Sequence, residues 1–88
     1  MSRIAIITGA SSGLGVEFYK ELQKEQLDEI WVIARREARL NEIAAEHGRI
    51  KTRVIPMDIT LSENVKTLKE LFEAEKPDIR FFVNNAGF

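Results

Sequence analysis

The segment Ile4-Ala5-Ile6-Ile7-Thr8-Gly9-Ala10-Ser11-Ser12-Gly13-Leu14-Gly15 constrains the fold more than any other: a short apolar run breaks into three closely spaced glycines and then into helix-like sequence. It reads as a strand, a tight turn and a helix start. Glycine reaches positive φ without a Cβ penalty and lets a ligand approach the main chain, and the first amides of a helix lack internal partners and carry partial positive charge. An anion fits such a turn. The spacing Gly-x-x-x-Gly-x-Gly differs from the Gly-x-Gly-x-x-Gly fingerprint, yet it stands in the strand-to-helix context that the fingerprint requires. Nucleotide binding is the expectation, against a purely structural turn.

The rest of the chain alternates in the same manner. Leu14, Phe18 and Leu22 recur at four-residue spacing and predict an amphipathic helix with those three on its buried face. Glu29 to Ala34 is a mostly apolar run suited to a strand buried on both faces, with Trp31 in or near the core. A helix is expected from about Glu37 to His47, ended by Gly48. Arg53-Val54-Ile55 reads as a third strand, and Pro56 is expected to end its pairing. Thr60-Leu61-Ser62-Glu63 has capping-box spacing before a helix carrying Val65, Leu68 and Phe72, which Lys76-Pro77-Asp78 stops. Ile79 to Val83 is the last strand, followed by Asn84-Asn85-Ala86-Gly87.

The order β-α-β-α-β-α-β requires parallel pairing with right-handed crossovers. The expected fold is α/β, the first half of a Rossmann-like doubly wound parallel sheet with strand order 3-2-1-4, as one domain over residues 1–88. With 13 basic and 14 acidic residues and a net charge of −1, the chain lacks the footprint of a nucleic-acid or membrane-surface binder. No cysteine is present, which excludes disulfides and thiolate metal sites and suits a reducing compartment. Ile4 to Ile7 is too short for a signal-peptide core or a membrane span, so a cytoplasmic location is expected.

The position about 20 residues beyond the glycine turn lies at the tip of the second strand, where an acidic residue would accept from the ribose 2′-hydroxyl of NAD. That position is Arg35, with Arg36 beside it. A guanidinium cannot accept that bond but pairs with phosphate, so the expected cofactor is NADP rather than NAD, the alternative being a solvated basic pair. Asp58 either accepts from an adenine amino group or serves as a turn residue. Asn84 and Asn85 are either loop residues or amides close to a bound cofactor. His47 suits the end of a helix dipole, and Tyr19 beside Phe18 reads as a packing residue; no catalytic or metal site is expected.

Taken together these motifs resemble the amino-terminal, cofactor-binding part of the short-chain dehydrogenase/reductase family over the whole chain. Thr8-Gly9-Ala10-Ser11-Ser12-Gly13-Leu14-Gly15 is similar to its cofactor motif, Arg35 and Arg36 to its NADP-type selectivity position, Asp58 to its adenine-contacting aspartate, and Asn84-Asn85-Ala86-Gly87 to its fourth-strand motif. The resemblance implies that Gly9, Ser11, Ser12 and Leu14 lie along the adenosine phosphates and that Asp58 and Ile59 hold the adenine. It also implies that the Asn-Asn-Ala-Gly segment steadies the sheet and touches the adenosine ribose. Hydride transfer on an alcohol or carbonyl would need a serine and a Tyr-x-x-x-Lys helix from further along such a chain. Tyr19 is followed by Gln23 four residues on and does not match. The expectation is therefore a fold truncated after the fourth strand and inactive alone, either part of an NADP-dependent oxidoreductase or a non-catalytic NADP or adenine-nucleotide binding module. The exposed fourth strand is expected to drive self-association, or the full-length parent to form a homo-oligomer.

Overall fold

A computed structural model describes residues 2–85. Four strands, β1 (Arg3–Thr8), β2 (Glu29–Ala34), β3 (Thr52–Pro56) and β4 (Asp78–Asn84), alternate with three helices, α1 (Gly13–Leu22), α2 (Glu37–His47) and α3 (Ser62–Glu75). The strands form one parallel sheet in the order β3-β2-β1-β4, as the alternation predicts. Ala86 and Gly87 lie outside the described residues.

The two central strands explain the layering. Side chains alternate across a strand, and Ala5, Ile7, Ile30 and Val32 pack under α1 and α2 with Tyr19, Leu22, Leu40 and Ile43. Ile4, Ile6, Trp31 and Ile33 pack on the opposite face with Leu68 of α3. A sheet covered on both faces needs β1 and β2 apolar at nearly every position, which is how they read. The Trp31 ring stacks on Phe72 with centroids 5.8 Å apart, and the Arg53 guanidinium lies 4.6 Å from the Trp31 ring centroid. Trp31 Nε1 donates to Glu29 Oε1 at 2.8 Å, which satisfies both buried polar groups.

Three local expectations are corrected. The buried face of α1 is Gly15, Tyr19 and Leu22, whereas Leu14 and Phe18 are 59% and 37% exposed. The cause is the approach of α1 to the glycine turn: a Cβ on Gly15 would lie 2.4 Å from the Gly9 carbonyl oxygen, so Gly15 must face inward and turns the helix with it. The Thr60 to Glu63 capping box does not form, since Leu61 is the N-cap and Thr60 Oγ1 donates to Asp58 Oδ1 instead. Pro56 continues β3 opposite Ala34; β3 is an edge strand, where a missing N–H costs no ladder bond. Gly48 ends α2 as expected, at φ −77°, and is required for space, because a Cβ there would meet Ala44 O and Tyr19 Oη at 2.6 Å each.

Along β4 the ladder to β1 shifts between Ile4 and Ala5, so that Ile79 pairs with Ile4 and Phe81 with Ala5. The bulged residue is Arg80, whose Nε donates to Asp78 Oδ2 at 2.8 Å. Phe81 therefore lies on the α1 side and Phe82, opposite Ile6, on the α3 side. Among the described residues β4 pairs only with β1, and Ile79, Phe81 and Phe82 remain exposed.

Candidate nucleotide site

The glycine turn leaves β1 with Gly9 at φ 63°, a conformation that costs an L side chain about 1–2 kcal/mol and glycine almost nothing. Ser12 caps α1, its Oγ accepting from the Gly15 N–H at 3.2 Å and donating to the Gly9 carbonyl at 3.0 Å. The Val16 N–H donates to the Ser12 carbonyl. Gly13 and Leu14 are left as the first-turn amides without a protein partner among the described residues. A Cβ at Gly13 would meet nothing within 4 Å, so the main chain there is open to a ligand.

Beside this turn, at the carboxyl ends of β1, β2 and β3, is a cleft of about 710 Å³. Its lining brings together Gly9, Ser11 and Ser12 from the turn, Arg35 and Arg36 from the end of β2, Asp58 and Ile59 from the loop after β3, and Asn85 from the end of β4. Parallel pairing puts these ends side by side, Thr8 opposite Ile33 and Asn84 and Ala34 opposite Pro56. Ligands of open α/β sheets bind at such a carboxyl edge. Ile33, Ala34, Met57 and Thr60 also line it; none belongs to a cofactor motif, and only their places at or just beyond strand ends could have flagged them.

Asp58 Oδ1 accepts from the Thr60 hydroxyl at 2.6 Å and from the Thr60 N–H at 3.0 Å. These bonds, with Arg35 nearby, hold its carboxyl below the usual aspartate range. Asp58 thus forms a turn and still borders the cleft. Arg35 and Arg36 are both exposed, which leaves their donors available to an anion.

Thr8, Gly13, Leu14, Gly15 and Asn84 stand outside the cleft lining. Thr8 Oγ1 donates to Asn84 Oδ1 at 2.9 Å and accepts from the Asn85 N–H at 3.0 Å, so the ends of β1 and β4 are tied together. Gly15 packs on Gly9 and Ala10. His47 lies 3.5 Å from Glu46 at the end of α2, away from the cleft lining. No group of three or more potential metal ligands occurs among the described residues.

A parallel 3-2-1-4 sheet with a glycine turn at its carboxyl edge is a Rossmann fold. A profile described as short chain dehydrogenase matches residues 3–88, and the chain belongs to that family of oxidoreductases. It is 30% identical over 88 residues to the very-long-chain 3-oxoacyl-CoA reductase of Yarrowia lipolytica, covering 94% of this chain and 22% of that protein. It is 32% identical over 87 residues to the NADPH-dependent 1-acyldihydroxyacetone phosphate reductase of Saccharomyces cerevisiae, covering 97% of this chain and 29% of that one. A crystal structure of a short chain dehydrogenase from Bacillus anthracis shares the fold with a TM-score of 0.80 at 24% identity, over 97% of this chain and 34% of the other. The chain thus spans between about a fifth and a third of the length of these relatives.

Proposed function

We propose that residues 1–88 form one unit that binds NADP for an oxidoreductase acting on an alcohol or carbonyl, and that this unit alone binds without turnover. The observation that carries the reading is the placement of Arg35 and Arg36 in the same cleft as the glycine turn. The donor set fits the cofactor in two places. Gly13 and Leu14 offer open amides to a pyrophosphate, with Ser11 beside them, and the two guanidinium groups offer paired donors to a 2′-phosphate. Asp58 and Ile59 border the space left for an adenine. When bound, the nicotinamide would supply or accept hydride; this chain's part is to hold and orient its adenosine half. The NADPH-dependent relative from Saccharomyces cerevisiae supports the choice of NADP.

Within this unit Tyr19 serves packing rather than proton transfer. It is fully buried and its hydroxyl is bonded to Thr52, which removes it as an acid or base for a substrate. A cytoplasmic location suits the cysteine-free sequence. A second copy pairing along the open edge of β4 is proposed as the partner, because a two-fold contact satisfies the same unpaired main-chain groups on both chains at once.

Titration of NADP+ and NAD+ against the wild type and Arg35→Asp tests the cofactor reading. A charge-assisted contact of about 1.5–3 kcal/mol gives NADP+ a preference on the order of ten- to a hundredfold, lost in the variant. Equal wild-type affinities, or a preference that survives Arg35→Asp, overturn it.

A further inference from the structure

We propose that Asp58 is a specificity-determining residue that competes with a 2′-phosphate for Arg35, and so holds the preference for NADP over NAD below what the arginines alone would give; this rests on the nucleotide reading above. The sheet register brings the two side chains together. Ala34 pairs with Pro56 at the last rung between β2 and β3, and the Met57 N–H still donates to the Ala34 carbonyl at 2.8 Å. Arg35 and Asp58 are the next residues on either side of that bond, and both line the cleft. Arg36, one residue further on, is the N-cap of α2.

The Asp58 carboxylate is fixed from the side of α3. Its Oδ1 accepts from both the hydroxyl and the N–H of Thr60, and its main-chain carbonyl accepts from Asn64 Nδ2 at 2.9 Å and from the Leu61 N–H at 3.2 Å. Oδ2 has no hydrogen-bond partner among the described residues, so it is the oxygen left to face a cation. The Thr60 bonds first, and the Arg35 charge in addition, hold this carboxyl in its ionised form. Attraction between two charges acts on both alike. It is through space here, since no hydrogen bond joins the two side chains among the described residues. A phosphate monoester that engages Arg35 must therefore draw the guanidinium from a carboxylate that is already in place. The net gain is smaller by the size of that exposed pair.

The probes are adenosine 2′-phosphate and ADP, which share the adenine and differ in where the phosphate sits. A lost adenine contact moves both, and a freed Arg35 moves only the first. With the 88-residue chain in about 50 mM salt, Asp58→Asn is expected to tighten adenosine 2′-phosphate about three- to fivefold and to change ADP by less than about 1.5-fold. At about 0.5 M salt the gain is expected to vanish, because exposed charges are then screened. In an Arg35→Gln background Asp58→Asn is expected to change adenosine 2′-phosphate by less than about 1.5-fold, since nothing is left to compete for. Asparagine keeps the oxygen that accepts from Thr60. Should the variant fail to fold, Asp58→Ser keeps a turn-forming oxygen, removes the charge and gives the same comparison.

Weaker binding of both probes by Asp58→Asn makes Asp58 an adenine contact and overturns the proposal, as does an unchanged affinity for adenosine 2′-phosphate. A gain that persists in the Arg35→Gln background means that the carboxylate repels the phosphate directly, which overturns the competition for Arg35. In each of these cases the nucleotide reading stands, provided that Arg35→Gln alone weakens adenosine 2′-phosphate. A wild-type chain that binds neither probe overturns the proposal together with that reading, and adenosine 2′-phosphate binding that ignores Arg35→Gln overturns it together with the choice of NADP.

Discussion

The phenolic oxygen of Tyr19 lies 2.6 Å from Thr52 Oγ1, and the Thr52 hydroxyl donates in turn to the Ile50 carbonyl at 3.0 Å, so Tyr19 is the donor in the first bond. The middle of α1 is thereby joined to the start of the edge strand β3. Gln23 reinforces the join, its Nε2 donating to the Tyr19 carbonyl and its Oε1 accepting from the Arg49 and Ile50 N–H groups. Tyr19→Phe keeps the ring and removes the donor; it is expected to cost about 1 kcal/mol in urea unfolding with an unchanged m-value. A loss indistinguishable from zero would show that the bond contributes nothing beyond the packing of the ring.

Two glycines of the turn should separate stability from binding. Gly15→Ala puts a Cβ 2.4 Å from Gly9 O and 2.9 Å from Ala10 Cα, main-chain atoms that cannot move aside alone, and is expected to destabilise by about 1–3 kcal/mol. Gly13→Ala meets nothing within 4 Å and should shift stability by no more than about 0.5 kcal/mol. It should nevertheless weaken ADP, because the added methyl stands where the anion approaches the main chain. Denaturation and ADP titration of both variants check the contrast, which fails if Gly13→Ala binds ADP as the wild type does.

Three carboxyls are held below their ordinary range: Asp28 mainly by the Arg3 N–H, Asp58 mainly by the Thr60 hydroxyl, and Glu75 mainly by the Arg53 side chain. A depressed folded-state pKa contributes stability that is present above the unfolded value, about 4, and is lost as the pH falls through the folded value. Thermal unfolding should therefore move to lower temperature as the pH drops below about 4. Glu75→Gln, which replaces the carboxylate bonded to Arg53 at 2.5 and 3.0 Å, should make that fall shallower. An identical acid dependence in the variant would count against the pair.

Self-association along β4 is expected to depend on protein concentration and to weaken in Phe82→Lys. Phe82 is 50% exposed on the open edge strand, and a lysine there places like charges together across a two-fold contact while adding a feature that guards strand edges. Sedimentation velocity over a hundredfold concentration range checks this. A wild-type monomer at every concentration would remove the second copy as the partner.

Strand and helix order was legible because β1 and β2 are apolar at almost every position and the helices between them are not; parallel pairing and right-handed crossovers then left 3-2-1-4 as the arrangement. The glycine turn and the two arginines could be placed relative to one another because a strand advances a fixed distance per residue, which fixes where Arg35 emerges. The rotation of α1 was not legible. Leu14, Phe18 and Leu22 make a good apolar stripe, and what buried Gly15 and Tyr19 in their place was the contact of Gly15 with Gly9 and Ala10, a steric fact between main chains that no periodicity records. The same holds for Gly48, needed because Tyr19 crosses over it, and for Asn85, whose two amide hydrogens find Gly9 and Ser12 across more than 70 residues of chain. Local pattern sets which segments are strands and helices, since backbone propensity and alternation act within a few residues. Which side chains meet depends on how closely two backbones approach, and that distance exists only once the sheet and its helices are packed.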